Sequence, residues 1–310
     1  MTIPPLVVGI DISRDHLDIY DPAIGRAERF PNSAATATGL AQRFAGDGVS
    51  VVFEATGHYD TALRRALAKT GVAYSRVNPA RARDFARAAG YLAKTDAVDA
   101  RMLADMGRRL ELTKAPAIDP DRERLALLNR RRDQLVSTRQ QERVRRKAGG
   151  DAAIDASIAA HLDWLDGEIE ALEAAIADLI KASPALLSLA NLLRSVPGVG
   201  PVTAATLIAL APELGHRSPK SIAALAGLAP INADSGRYRG QRSIRGGRKR
   251  IRNALYVAAV VASRTKSRFA TFYRTLRDAG KSPKQAFVAL ARKLLVTLNA
   301  IARDREPFHA

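Results

Sequence analysis

The chain has 310 residues, enough for about two domains with real cores, and carries 49 Lys and Arg against 31 Asp and Glu, a net charge of +18. That excess points to nucleic acid or an anionic membrane as partner. Cysteine is absent, which excludes disulfides and thiolate metal sites and fits a reducing, cytoplasmic setting. No apolar run approaches the roughly 20 residues that span a bilayer. The N-terminus lacks a basic leader and runs directly into a predicted strand, so no signal peptide is expected.

Residues 6–110 read as α/β, and a first domain is drawn over 1–115. Leu6–Ile12 is a strongly apolar strand. His16–Tyr20 alternates and can pair with it as a hairpin, and Glu28–Pro31 is a short third strand. Ala34–Phe44 reads as a helix, Val49–Ala55 as a buried strand, Asp60–Thr70 as a helix and Val72–Val77 as another strand. An Arg-rich helical stretch follows Pro79. Three strands, then strands alternating with helices, is the order of a ribonuclease-H-like domain. The pattern by itself supports α/β with a mixed sheet.

A second region, 116–185, reads as two long helices broken at Gly149-Gly150. In the second helix Ile158, Leu162, Leu165, Ile169, Leu172, Ile176 and Leu179 alternate spacings of four and three, a coiled-coil stripe. The first helix has a thinner stripe (Leu125, Leu128, Leu135) and is loaded with Arg. The pair reads equally as an intramolecular hairpin or as a dimer contact, and both can hold. Trp164, between two stripe leucines, is assigned to packing. Residues 186–310 form a third, mostly helical region.

Four acids stand out against the basic background. Asp11 ends one apolar run, Glu54 ends another (Val51-Val52-Phe53), and Asp96 and Asp99 share a helix face at i, i+3. Taken singly, Asp11 is a turn residue and Asp96 and Asp99 a solvated face. A buried, unpaired Glu54 would cost several kcal/mol. Together the four favour a divalent-metal site, and hard oxygen donors without His or Cys suit Mg²⁺ or Mn²⁺. Asp105 is assigned to solvated helix surface, as is His58 to the protein surface.

The basic half carries two further motifs. Val196-Pro197-Gly198-Val199-Gly200-Pro201 resembles a helix-hairpin-helix turn, with Gly198 and Gly200 as candidate phosphate contacts. The alternative is a tight interhelical turn that touches nothing. From Ser235 to Arg277 there is no Asp or Glu. Within that run Arg237, Arg239, Arg242, Arg245, Arg248, Lys249 and Arg250 are candidate nucleic-acid contacts. Ser235, beside Gly236, is a candidate nucleophile with Ser243 second, because nearby guanidiniums would stabilise charge growing on phosphorus. Composition does not choose between them.

These segments resemble the DEDD transposases of the Piv/MooV-like insertion-sequence family, often called "IS one-ten". The matching motifs are Gly9-Ile10-Asp11-Ile12-Ser13, Phe53-Glu54-Ala55-Thr56-Gly57, Lys94-Thr95-Asp96-Ala97-Val98-Asp99-Ala100, Pro197-Gly198-Val199-Gly200-Pro201, Gly227-Leu228-Ala229-Pro230, and Asp234-Ser235-Gly236 leading to Gly246-Gly247-Arg248. The resemblance implies a RuvC-like (RNase H-like) domain with Asp11, Glu54, Asp96 and Asp99 as catalytic acids around Mg²⁺ or Mn²⁺. It implies a C-terminal transposase domain (186–310) with Ser235 as nucleophile. It further implies donor and target DNA as substrates and a structured guide RNA as partner. Active sites would be shared between subunits of a dimer or tetramer, in the bacterial cytoplasm at the nucleoid. Three readings remain open on the residues: transposase or invertase, Holliday-junction-type nuclease, and non-catalytic nucleic-acid-binding protein.

Overall fold

The computed structural model describes residues 6–46, 48–55, 57–91, 93, 95–115, 119–231, 234–235, 238–239 and 242–309; at 234–235 and 238–239 it describes the backbone. The chain divides into two compact units, Met1–Ile118 and Asp119–Ala310.

The first unit is built on a five-stranded sheet. Its strands are β1 (Leu6–Ile12), β2 (His16–Asp21), β3 (Arg26–Pro31), β4 (Val49–Glu54) and β5 (Ala73–Val77), in the order β3-β2-β1-β4-β5. β1, β2 and β3 are antiparallel neighbours, while β4 and β5 run parallel to β1. The strand reading of the sequence holds to within a residue or two at each end. α1 (Ala34–Arg43) and α2 (Thr61–Thr70) come between strands, and α3 (Pro79–Ala88) and α4 (Asp96–Arg109) follow β5.

Alternation along each strand sorts the side chains onto two faces. Val8, Ile10 and Ile12 pack with Leu17, Ile19, Val51 and Phe53 against α1 and α2, through Leu40, Leu63 and Leu67. Val7, Val52 and Val77 point the other way, against Met102, Leu103 and Met106 of α4. α4 lies unusually close to the sheet because the contacting residues are small. A Cβ on Gly9 would overlap the Ala100 carbonyl oxygen and come 2.5 Å from the Ala104 nitrogen. A Cβ on Gly107 would come 2.6 Å from both Val7 and Val52 side chains. Ala100 and Ala104 therefore meet Gly9 while Gly107 meets Val7, so α4 runs antiparallel to β1.

The second unit begins with a helical hairpin, α5 (Pro120–Ala148) and α6 (Ala152–Ala182), broken where the two glycines predict. Leu135 packs on Leu165 and Ile169 across it. Arg132 reaches Glu173 at 2.6 Å and Arg139 reaches Asp166 at 2.5 Å. The stripe is thus turned inward within one chain. Trp164 corrects its assignment: it is 53% exposed and stacked on His161. A position flanked by stripe residues at −2 and +1 falls outside the inward face of a 3.6-residue helix.

Six further helices follow among the described residues: α7 (Pro184–Arg194), α8 (Pro201–Leu210), α9 (Pro219–Leu225), α10 (Lys249–Ala262), α11 (Arg268–Asp278) and α12 (Pro283–Asp304), with four two-residue strands between α9 and α10. Leu125 of α5 and Ile176 of α6 share their core with Leu193, Leu207, Leu255, Phe269 and Leu294. By length and composition alone α12 could cross a membrane, although Arg292 and Lys293 interrupt its apolar run. Leu290, Ala291, Leu294 and Leu298 are fully enclosed in this core, however, which accounts for its apolar stripe.

Candidate active site

The acids of the first unit converge through backbone register. Asp11 follows Gly9 by two residues and so faces α4. Ile10 is the register partner of Phe53, which sets Glu54, one residue on, beside Asp11 on the same face. Because α4 runs antiparallel to β1, its first turn lies beyond Gly9, toward Asp11. That turn holds Asp96 and Asp99. Thr95 caps it by accepting from the Val98 N–H at 3.3 Å. Two carboxylates in a first helical turn are favoured by the positive end of the helix dipole.

The electrostatic result is concentrated on Asp11, whose carboxyl is pushed up to about 6. Burial is the largest cause, followed by the negative charges of Asp99, Asp96, Glu54 and Asp18. Asp11 is the centre of a group of mutually repelling acids. Among the described residues, no three carboxylates or histidines stand in a finished metal-clasping arrangement. Part of the reason is visible at Asp96, which accepts from Arg29 at 2.5 Å.

Arg29 and Asp18 were not singled out in the sequence. Asp18 is the register partner of both Asp11 and Arg29, so all three lie in one row across β1, β2 and β3. Arg29 donates through Nε and Nη2 to the buried Asp18 at 3.0 Å each, and through Nη2 to Asp96. The available signal was a single acid, Asp18, set between the apolar Leu17 and Ile19 of a predicted strand. Asp105 corrects its assignment as well. It is buried and accepts from Tyr91, Arg108 and Arg109; burial pushes its carboxyl up, but Arg108 and Arg109 hold it below the usual range. His58 is exposed, as assigned, and so is Tyr59.

In the second unit the excursion between α9 and α10 is closed at its base. Gly227 and Gly247, both with φ +67, stack backbone on backbone with no room for a Cβ on either. The Arg248 N–H donates to the Leu225 carbonyl at 2.8 Å. Next, β6 (Pro230–Ile231) pairs with β9 (Ser243–Ile244). Farther out, β7 (Asp234–Ser235) pairs with β8 (Tyr238–Arg239), with Ser235 opposite Tyr238. Ser235 thus rides on a hairpin at the far end of a clamped excursion. The side chains of Ser235 and Arg239, and all of Arg237, lie outside the described residues.

The other basic candidates divide in two. Arg248 makes a bidentate pair with Glu213 at 2.6 and 2.7 Å, and Arg250 donates to Asp133 at 2.8 Å. Both guanidiniums are engaged within the protein. Arg242, Arg245 and Lys249 are exposed. The two turn glycines also part company. Gly198, at φ +90, would drive a Cβ to 2.5 Å from the Ala258 carbonyl oxygen of α10, so packing dictates it. Gly200 is the exposed N-cap of α8 with open space around it.

Comparison with known proteins matches both halves. A transposase profile of the DEDD type covers residues 8–148, and the profile "Transposase IS116/IS110/IS902 family" covers residues 190–274. The chain is 32% identical over 271 residues to the pilin gene-inverting protein of Moraxella bovis, spanning 83% of this chain and 81% of that protein. Its counterpart in Moraxella lacunata is 31% identical over the same length. The insertion element IS110 43.6 kDa protein of Streptomyces coelicolor is 34% identical over 151 residues, 48% of this chain and 36% of that protein. Acids of β1, β4 and α4 brought to one place, and Ser235 on a basic excursion, are thus found in a chain that belongs to the IS116/IS110/IS902 transposase family, a family of DNA-recombining enzymes.

Proposed function

We propose that this protein cuts and rejoins DNA at specific sites, with Ser235 as nucleophile and Asp11, Glu54, Asp96 and Asp99 as the acids that hold Mg²⁺ or Mn²⁺. The observation that carries the reading is the enforced neighbourhood of these carboxylates, which lifts Asp11 to about 6 inside a chain of net charge +18. The sheet order β3-β2-β1-β4-β5, with three antiparallel strands and two parallel ones, supports an RNase H-like (RuvC-like) assignment. The donors fit a hard divalent cation: all are oxygens, and their repulsion is what such an ion relieves. Asp96 must first leave Arg29. When bound, the ion supplies Lewis-acid charge at the phosphate and eases loss of the serine proton.

The residues of the chain do the rest. The Ser235 hydroxyl oxygen attacks phosphorus, the bond from phosphorus to a deoxyribose oxygen breaks, and the protein is left as a phosphoserine ester. That ester conserves the bond for rejoining to a second strand. Arg242, Arg245 and Lys249, with Arg237 and Arg239, steady the pentavalent charge, and the open start of α8 at Gly200 receives a phosphate in a helix-hairpin-helix manner. The exposed arginines of α5 suit a structured guide RNA. Leu127, Val144, Ile154 and Trp164 are large apolar side chains left exposed on the α5–α6 hairpin, which favours a coiled-coil contact between copies and an active site shared within a dimer or tetramer. Work on chromosomal DNA sets it in the bacterial cytoplasm, at the nucleoid.

The test is to trap products under denaturing conditions. Wild type yields protein-linked DNA and Ser235→Ala yields none; protein-linked DNA from Ser235→Ala overturns the assignment. Free cleaved DNA without any adduct would instead favour the nuclease reading. Affinity untouched by Asp11→Ala together with no cleavage by wild type would favour a binding protein. The long match to pilin gene-inverting proteins also favours inversion as the outcome of exchange. A plasmid with a segment between inverted sites distinguishes inversion from transfer to a new locus.

A further inference from the structure

A second cationic feature lies away from the Ser235 excursion and outside every residue assigned above. The end of α10 and the first turns of α11 enclose an open cavity of about 600 Å³. Arg264, Lys266, Arg268 and Arg274 line it, with the hydroxyls of Thr265 and Ser267 between them. No acid lies anywhere on this stretch of chain, since Asp278 is the first after Asp234.

What marks this cavity is that four cations without an internal counter-charge line one concavity. Arg43, Arg76, Arg132, Arg139 and Arg248 are each answered by a carboxylate. Among the described residues, no ion pair includes Arg264, Lys266, Arg268 or Arg274. Four like charges around one concavity repel one another, and one of them, Arg268, is held by aromatic rings. The Arg268 guanidinium carbon lies over the Phe308 ring, 4.4 Å from its centroid. That ring stacks on the buried Phe269 at 5.4 Å, and the Phe308 N–H donates to Ser195 Oγ at 2.8 Å. Thr265 and Ser267 share a 2.8 Å hydrogen bond that shapes the cavity floor. A cation–π contact of this kind holds a guanidinium in place while its N–H groups can still donate to an oxyanion.

We propose that this cavity binds the phosphodiester backbone of a nucleic-acid segment, as an anchoring site separate from the one that reacts. Its sequence-blind chemistry of fixed cations and hydroxyls is that of backbone positioning. The identity of the polymer rests on the recombinase reading; the anion site itself rests on the cavity.

The experiment uses the full chain with a short DNA duplex and, separately, an RNA stem-loop. Phenylglyoxal modification mapped by mass spectrometry should show Arg264, Arg268 and Arg274 protected by the bound polymer while Arg14 stays reactive. The polymer that protects identifies the source of the phosphates. In parallel, the triple variant Arg264→Gln/Lys266→Gln/Arg274→Gln should lower the slope of log affinity against log salt by about 2.7 on duplex DNA, about 0.9 per lost contact. These side chains are exposed, so circular dichroism and melting should match wild type, and the lysine variant at the two arginines should restore the slope. Equal modification of the three arginines with and without either polymer overturns the proposal, as does an unchanged slope for both. Protection without any covalent adduct in wild type would sink the serine mechanism and leave this site standing. Adduct formation without protection would do the reverse.

Discussion

Replacing Asp11 with Asn should make the metal-free protein more stable at neutral pH while abolishing strand exchange. The Asp11 carboxyl titrates at about 6 in the folded chain against an ordinary 3.8, a rise of about two units. At full strength that is about 3 kcal/mol. Asp11 is only partly buried, and solvent screening reduces this by roughly half, to about 1.5 kcal/mol. The sign follows from which state binds the proton. Between pH 6 and pH 3.8 the folded carboxyl is protonated while the unfolded one is not, so folding gains stability as pH falls through that window. Above pH 6 the gain is absent and the repulsion from Asp99, Asp96 and Glu54 is fully felt. Asp11→Asn removes that repulsion at every pH. Hydrogen exchange of the β1 and β4 amides, corrected for intrinsic rates, reads the difference. At pH 7.5 exchange should be about tenfold slower in the variant, and the gap should close near pH 4. Mg²⁺ should slow exchange in wild type and not in the variant. Exchange in Asp11→Asn as fast as or faster than wild type at pH 7.5 would refute the reasoning, because Asp11 would then be a stabilised charge.

Three other outcomes are expected. Gly9→Ala puts a methyl group into the Ala100 carbonyl and should lower stability by about 1–3 kcal/mol, with loss of recombination as α4 and its two acids move off β1; an unchanged melting temperature would contradict the close packing. Asp60, fully buried, joins Arg64 at 3.0 Å to Arg76 at 2.6 Å. Asp60→Asn should therefore cost about 3 kcal/mol in α2 and β5 protection, and a neutral effect would show the pair to be dispensable. Arg29→Gln should tighten Mn²⁺ binding severalfold by calorimetry, since Arg29 competes for Asp96; weaker binding would mean that Arg29 instead holds Asp96 ready for the ion.

Much of the first unit was legible because its signals are local. Apolar runs ending in Gly, Pro or acids mark the strands, and Gly149-Gly150 ends a helix whatever surrounds it. Asp11 and Glu54 drew attention because each closes a run whose other members are buried. Asp96 and Asp99 did so because i, i+3 spacing is itself a statement about a helix face. The Ser-Gly segment and its basic neighbours were visible as composition, yet composition did not separate Arg248 and Arg250, bound to Glu213 and Asp133, from the exposed Arg242, Arg245 and Lys249.

By itself, then, the sequence determined where the strands and helices begin, which faces are apolar, and that acids and a serine are set in an otherwise cationic chain. Only the tertiary structure decided that Asp18 and Arg29 stand in the same row as Asp11, that Gly9 lets α4 close over β1, and that Asp105 and Asp60 are buried among arginines while Trp164 is not. The reason is range. Hydrophobic periodicity and turn chemistry act within a few residues, whereas cross-strand register and helix-on-sheet distance are fixed by pairings between segments as far apart as Arg29 and Asp96, and no local pattern records them.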